Sequence, residues 1–250
     1  MYRCQCYLDQ IGYVPPLSGV QHRQLTVGEA GILRNCLQDD GTKSLYSAAV
    51  SLADALRGIH EGFYTWATVK LYYSVFYTAI CQLALHDTVL FYIGNTPCAI
   101  HANAGEMLTK QSGTTHAVVL DLFARLFPNS PFLSQTIDFQ PPLKWLRERR
   151  EDANYKNPRF VEPDSPAYFR GVTKDGVRKA TLAYLSTNGM TYLFDTDHAM
   201  LAFPLVFWRD TILMARAASL PNTLAAESEF LAVAFSDDHG PLSEINRIIA

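Results

Sequence analysis

Residues 65–85 read Thr65-Trp-Ala-Thr-Val-Lys-Leu-Tyr-Tyr-Ser-Val-Phe-Tyr-Thr-Ala-Ile-Cys-Gln-Leu-Ala-Leu85, with no charged residue after Lys70. A helix that is apolar all round is buried on most sides, so this stretch predicts the centre of a helical bundle. Its aromatic run, Tyr72, Tyr73, Phe76 and Tyr77, can be read as a ligand box or as core. Core packing is favoured, because aromatics bury the most area per residue. The uncharged part, Leu71 to Leu85, carries Ser74, Thr78 and Gln82 and is too short to span a bilayer.

Outward from this centre the pattern stays helical. Upstream, Leu45, Ala48, Ala49, Leu52, Ala55, Leu56 and Ile59 fall at helical spacing, predicting an amphipathic helix over 44–59 that ends near Gly58 and Gly62. A short helix over 25–37 is predicted before it. Thr26 and Glu29 stand as a capping box, and Asp39-Asp40-Gly41 reads as its end. Residues 1–24, with Gly12, Pro15, Pro16 and Gly19, read as irregular or short extended structure.

Downstream, Val89–Ile93 and Thr96–Ile100 flank Gly94-Asn95 as a β-hairpin. Residues 105–113 read as a loop and 115–127 as a helix stopped by Pro128, with 131–140 a connector. A second hairpin is predicted where Thr181–Ser186 and Met190–Phe194 flank Thr187-Asn188-Gly189. Asp197 is read as the cap of a long apolar helix over 199–217, and 224–235 and 242–249 as helical. The fold class is therefore mainly α, a helical bundle with one or two β-hairpin excursions. Its expected parts are 1–43 (irregular segment and short helix), 44–160 (helical core) and 161–250 (hairpin plus helices on that core).

The densest charge cluster is Leu143-Lys-Trp-Leu-Arg-Glu-Arg-Arg-Glu-Asp-Ala-Asn-Tyr155, followed by Lys156, Asn157 and Pro158. Pro141-Pro142 suits a helix start and Pro158 a stop. Leu143, Leu146 and Ala153 give a narrow apolar stripe. At 100° per residue Arg147, Arg150 and Asn154 stack on one face, with Glu151 beside them. The stretch reads either as a solvated helix with internal ion pairs or as a local basic patch. The net charge of −3 argues against an electrostatic grip spread over the whole surface.

The odd cysteine count (Cys4, Cys6, Cys36, Cys81 and Cys98) and the place of Cys81 inside an apolar helix fit free thiols in a reducing compartment. Cys4-Gln-Cys6 has no second ligand pair at metal spacing. The amino terminus has no apolar run of signal-peptide type, so the expected location is the cytoplasm, without a membrane segment. GxxxxGK[ST], GxGxxG, HExxH and GxSxG are absent, and no cofactor or metal is expected. Asp195, Asp197 and His198 are explained by an N-cap and its flanks, and Asp237-Asp238-His239 by a turn.

An amphipathic helix, a central helix containing Leu71-Tyr-Tyr-Ser-Val-Phe-Tyr-Thr-Ala79 and an Arg-rich helix ending Ala153-Asn154-Tyr155 together resemble HEPN-domain proteins over residues 44–160. That family is an α-helical bundle, commonly dimeric, of bacterial toxin–antitoxin and antiphage systems and RNA-cleaving effectors. Its active members carry an Arg, a polar residue, a few variable residues and a His, often followed by Tyr. The matching positions are Arg149 (or Arg150 in a shorter register), Glu151, Asp152, Ala153, Asn154 and Tyr155, so Asn154 stands where the family has His.

The resemblance implies a homodimer that engages RNA or a partner protein. The candidate catalytic residues it carries over are Arg149, Arg150, Asn154 and Tyr155, with His116, at a helix start, as a further candidate. Arg147 and Lys156 are the candidate nucleic-acid contacts. Metal-independent RNA cleavage needs a group that takes the 2′-hydroxyl proton and one that protonates the leaving oxygen, and an asparagine amide does neither. The expected function is a binding or assembly component of a bacterial defence or toxin-type system. The alternative is an endoribonuclease in which Arg149 or Arg150 holds phosphate and Asn154 and Tyr155 orient it. A third reading makes the charged helix a protein-contact face.

Overall fold

The computed structural model describes residues 2–186, 189–218, 220, 224, 227–235 and 245, which are mainly helical with one small antiparallel sheet of three strands. The chain forms two compact units, residues 1–44 with 79–126, and residues 45–78 with 127–250. Helix α1 (Arg3–Gln10) lies in the first, and the long helices α2 (Val27–His60) and α3 (Tyr64–Leu85) contribute residues to both. No helix among the described residues is long and apolar enough to cross a membrane.

The first unit corrects the reading of the amino-terminal third. Residues 3–10 are helical, not irregular, with Cys4 and Leu8 buried one turn apart. The cap of α1 comes from afar: the buried Asp40 carboxylate accepts the Arg3 and Cys4 backbone N–H groups at 2.9 and 2.8 Å. The same Asp40 explains why α2 does not stop at Asp39-Asp40-Gly41. Two apparent breakers serve packing instead, since a Cβ on Gly41 would lie 3.0 Å from that of Ala84 on α3. The capping box at the start of α2 forms as expected. The Thr26 N–H donates to Glu29 at 2.9 Å and the Glu29 N–H to the Thr26 hydroxyl at 3.2 Å.

The first hairpin also forms. Strands β1 (Thr88–Ile93) and β2 (Thr96–His101) pair from Thr88↔His101 to Ile93↔Thr96, turning at Gly94 with φ +60°. Val89, Phe91 and Ile93 enter a core with Tyr13, Leu33, Leu37 and Ile100. The expected loop over 105–113 contains a short third strand, β3 (Thr109–Lys110), beside β2, too brief to show a period in sequence. Helix α4 (Thr115–Leu126) completes this unit.

In the second unit α5 (Pro142–Glu151) runs into a π turn, Asp152–Lys156. Helices α6 (Arg170–Asp175) and α7 (Val177–Leu185) follow, separated by Gly176 at φ +85°. The second hairpin does not exist: 181–185 belong to α7 and Gly189–Tyr192 is a 3₁₀ turn, while Thr187 and Asn188 lie outside the described residues. Ala180, Thr181 and Tyr184 are buried at helical spacing, which outweighs the turn signal. Gly189 serves a close approach, since a Cβ there would collide with the Tyr184 carbonyl oxygen.

Helix α8 (Ala199–Ala217) spans the expected bounds and is buried from Ala199 through Trp208. Its N-cap position is His198; the expected cap, Asp197, instead faces Arg170 at 3.4 Å. Phe132, in the expected connector, packs on Phe203 and Phe207 with ring centroids 5.4 and 4.8 Å away. Within the predicted 224–235 segment the helix is α9 (Ser228–Ala234). The helix expected over 242–249 lies outside the described residues except for Ile245, and the turn at 237–239 lies outside them entirely.

Candidate functional site

The charged stretch is anchored by its buried face. Pro142, Leu143, Trp145, Leu146 and Arg150 are the buried residues of α5. Leu143, Leu146 and Arg150 follow one another at helical spacing, so Arg150 belongs to the stripe that faces the core rather than to an exposed arginine face. Trp145 meets Tyr168 edge-on at 6.2 Å, and the Tyr168 hydroxyl lies 3.2 Å from that of Thr68 on α3.

The π turn then changes the register. A π turn adds one residue, bringing i+5 rather than i+4 over residue i. Tyr155, not Asn154, therefore covers Arg150. The Arg150 guanidinium carbon is 4.9 Å from the Tyr155 ring centroid, and 5.5 and 5.7 Å from those of Tyr72 and Tyr73 on α3. Its Nη2 donates to the Tyr155 and Tyr73 hydroxyl oxygens at 3.3 and 3.4 Å, while its Nε is buried without an acceptor. Burial works against the charge, but the hydrogen bond to Tyr73 and the surrounding phenols outweigh it, holding the guanidinium above its ordinary value. Burial also pushes the Tyr72 phenol up, with Arg150 opposing, so that phenol stays protonated.

The remaining cations of the stretch are tied to neighbouring acids. Lys144 faces Glu148 at 3.7 Å, Arg147 faces Glu151 at 3.9 Å, and Arg149 faces Asp152 at 3.4 Å. Lys156 is 3.0 Å from Asp152 and 3.9 Å from Glu151. Arg149 also lies over the Trp145 ring, at 5.7 Å. Arg150 alone among them has no carboxylate within ion-pair distance among the described residues. Arg149 and Arg150 thus differ: Arg149 is ion-paired, and Arg150 is caged by rings without an ion pair among the described residues.

Asn154 is half-buried and its side chain makes no hydrogen bond among the described residues, while Tyr155 is two-thirds exposed. The expected stack of Arg147, Arg150 and Asn154 is not formed, because the first faces an acid, the second sits among rings, and the third lies within the π turn. His116 lies in α4 of the other unit. His86 and His101 stand with ring centroids 5.7 Å apart, also in that unit. His60 lines a cavity of about 440 Å³ at the start of α7 with Asp175, Arg178 and Lys179. His198 Nδ1 is 2.7 Å from the Tyr184 hydroxyl. Among the described residues the hydrogen-bond and cation–π partners of the Arg150 guanidinium are phenols and aromatic rings, with no imidazole among them.

The wall made by Tyr72 and Tyr73 belongs to the run read as core. Tyr72 is fully buried, as that reading requires, yet both rings also bind the guanidinium. Among the described residues no three His, Cys, Asp or Glu side chains gather as a metal would need. Comparison with protein-family models, with curated proteins and with solved structures finds no match to the chain.

Proposed function

We propose that the chain is a HEPN-like binding component of a bacterial defence or toxin-type assembly, one that holds RNA without cutting it. The observation that carries this reading is Arg150. It is a cation kept charged in an aromatic cage, with, among the described residues, a buried Nε lacking an acceptor and no carboxylate at ion-pair distance. A phosphate oxygen is the kind of acceptor that such a guanidinium lacks. Tyr155 is the most exposed wall of the cage. Among the described residues the guanidinium is bound by phenols and aromatic rings and not by an imidazole, the group that would exchange a proton near neutral pH.

The test is incubation of the purified chain with tRNA and total RNA in EDTA, with binding of a labelled single strand followed by fluorescence anisotropy. The reading expects saturable, salt-sensitive binding, no cleavage, and weaker binding by Arg150→Met. Cleavage that leaves 2′,3′-cyclic phosphate ends and disappears in Arg149→Ala/Arg150→Ala would replace it with the endoribonuclease reading, which uses Arg149, Arg150, Asn154 and Tyr155. Absence of RNA binding would end it. A homodimer, carried over from the resemblance, is measured separately by sedimentation.

A further inference from the structure

The amino terminus of α3 is capped from a distant segment. The Thr65 N–H donates to Glu162 Oε1 and the Thr65 hydroxyl to Oε2, both at 2.7 Å, while the Val161 N–H donates back to the Thr65 hydroxyl at 3.3 Å. Three hydrogen bonds thus fix residues 161–162 against the first turn of α3. The residues beside the clamp on each segment, Trp66 and Phe160, meet as a result. Their ring centroids are 6.1 Å apart at an interplanar angle of 77°.

The pair is organised but not covered. Trp66 is 50% and Phe160 54% exposed, and Phe63, just ahead of α3, is 58% exposed. The other two tryptophans, Trp145 and Trp208, are buried. Large apolar rings held half in water call for an occupant. The large apolar side chains exposed over 63–66 and 155–162 are all aromatic: Phe63, Trp66, Tyr155 and Phe160. Arg159, next to Phe160, is exposed and forms no ion pair among the described residues. Within 155–162 the one acid is Glu162, and the α3 cap uses it. The surface therefore combines open aromatic faces with the unpaired charge of Arg159, and the one aliphatic side chain on these segments, Val161, is half-buried. Base stacking with backbone neutralisation uses that combination, and it tolerates any sequence because every base has a π-face.

We propose that Trp66 and Phe160 form a stacking platform for the unpaired bases of single-stranded RNA, with Arg159 on the adjoining phosphate. This rests on the RNA-binding reading above and assigns it side chains other than Arg150. The structure supplies its own reporter, because Trp66 is the one tryptophan open to solvent.

A short oligoadenylate is titrated into the intact chain while tryptophan emission, iodide quenching and anisotropy are followed together. The same strand annealed to its complement serves as the control. Stacking is expected to quench the emission saturably and to shield Trp66 from iodide. Phe160→Ala and Trp66→Ala should each weaken binding by roughly tenfold, Arg159→Ala should flatten the salt dependence, and Trp66→Tyr should retain most of the affinity. Circular dichroism checks that the variants fold. Binding seen by anisotropy with unchanged Trp66 emission, or equal quenching by the duplex, would overturn the platform and leave the RNA-binding reading standing. Loss of all RNA binding would remove both. A protein-concentration-dependent change in Trp66 emission and sedimentation without RNA, abolished by Phe160→Ala, would overturn the platform and assign the face to a second copy of the chain.

Discussion

Tyr155 lies over Arg150 one π turn further along the chain, its ring centroid 4.9 Å from the guanidinium carbon and its hydroxyl 3.3 Å from Nη2. The ring and the hydroxyl contribute differently. The hydrogen bond is long and its phenol exposed, so Tyr155→Phe should cost under about 1 kcal/mol. Tyr155→Ala also removes the cation–π contact and one wall of the cage, for a total of about 1–2 kcal/mol. Urea unfolding of both variants decides which group holds the arginine; equal losses would assign it to the hydroxyl.

Arg150 sets charge against packing. A buried guanidinium without a counter-ion carries a desolvation cost, and an apolar side chain of similar length often fits such a place as well or better. Arg150→Met should therefore leave the unfolding free energy within about 1 kcal/mol of wild type or raise it, while RNA affinity falls about tenfold. Arg150→Lys should not restore binding, because an ammonium cannot lie flat among three rings and donate along a fork. A strongly destabilised but fully RNA-competent Arg150→Met would make the residue structural alone.

What could be read from the sequence was what local spacing encodes. The hairpin at Gly94-Asn95, the Thr26–Glu29 capping box and the bounds of α8 each depend on residues close in the chain, and each forms. The errors arise where a distant partner decides. Asp39-Asp40-Gly41 reads as a stop until α1 and Ala84 are present to use Asp40 and Gly41. Asn188-Gly189 reads as a hairpin turn until the buried face of α7 is seen. At the site the charge run was visible, and of its two readings, ion pairs or a basic patch, the ion pairs form for Lys144, Arg147, Arg149 and Lys156. The π turn was not visible, because one inserted residue leaves no mark on composition yet exchanges Asn154 for Tyr155 as the neighbour of Arg150. Nor was the Thr65–Glu162 clamp, which joins positions 97 residues apart.

The clamp has a pH signature. Burial works to raise the Glu162 carboxyl, but the hydrogen bonds from the Thr65 backbone and hydroxyl outweigh it, and the net shift is downward from 4.5. A carboxyl depressed in the folded state stabilises fully above its unfolded value and loses that contribution as pH falls through the folded one. Glu162→Gln should cost about 1 kcal/mol near neutral pH, the typical worth of a helix cap. The difference from wild type should shrink below pH 4.5. Iodide access to Trp66 should follow the same course, rising in the wild type with acid and staying constant in the variant. A pH-independent gap between the two proteins would show that the carboxylate charge is not what holds the segment.

Asp40 should be the most sensitive polar position in the first unit. It sits at 5% exposure and accepts from two backbone N–H groups of α1, so its removal strands two donors and unseats a helix whose Cys4 and Leu8 fill the core. The Cys4 donor is buried and the Arg3 donor part-buried, and leaving both without an acceptor costs about 1–3 kcal/mol together. Asp40→Ala should therefore destabilise by about that amount. Asp40→Asn keeps one acceptor oxygen and should recover about half of it. Gly41→Ala tests the neighbouring constraint from the opposite direction. Helix propensity alone would favour alanine by about 1 kcal/mol, but its Cβ meets Ala84 at 3.0 Å. Overpacking of this kind costs about 1–3 kcal/mol, so the net effect should be destabilising. Pairing Gly41→Ala with Ala84→Gly should relieve the contact and restore most of the loss. If Gly41→Ala alone proves stabilising, the close approach of α2 and α3 is not what keeps glycine at this position.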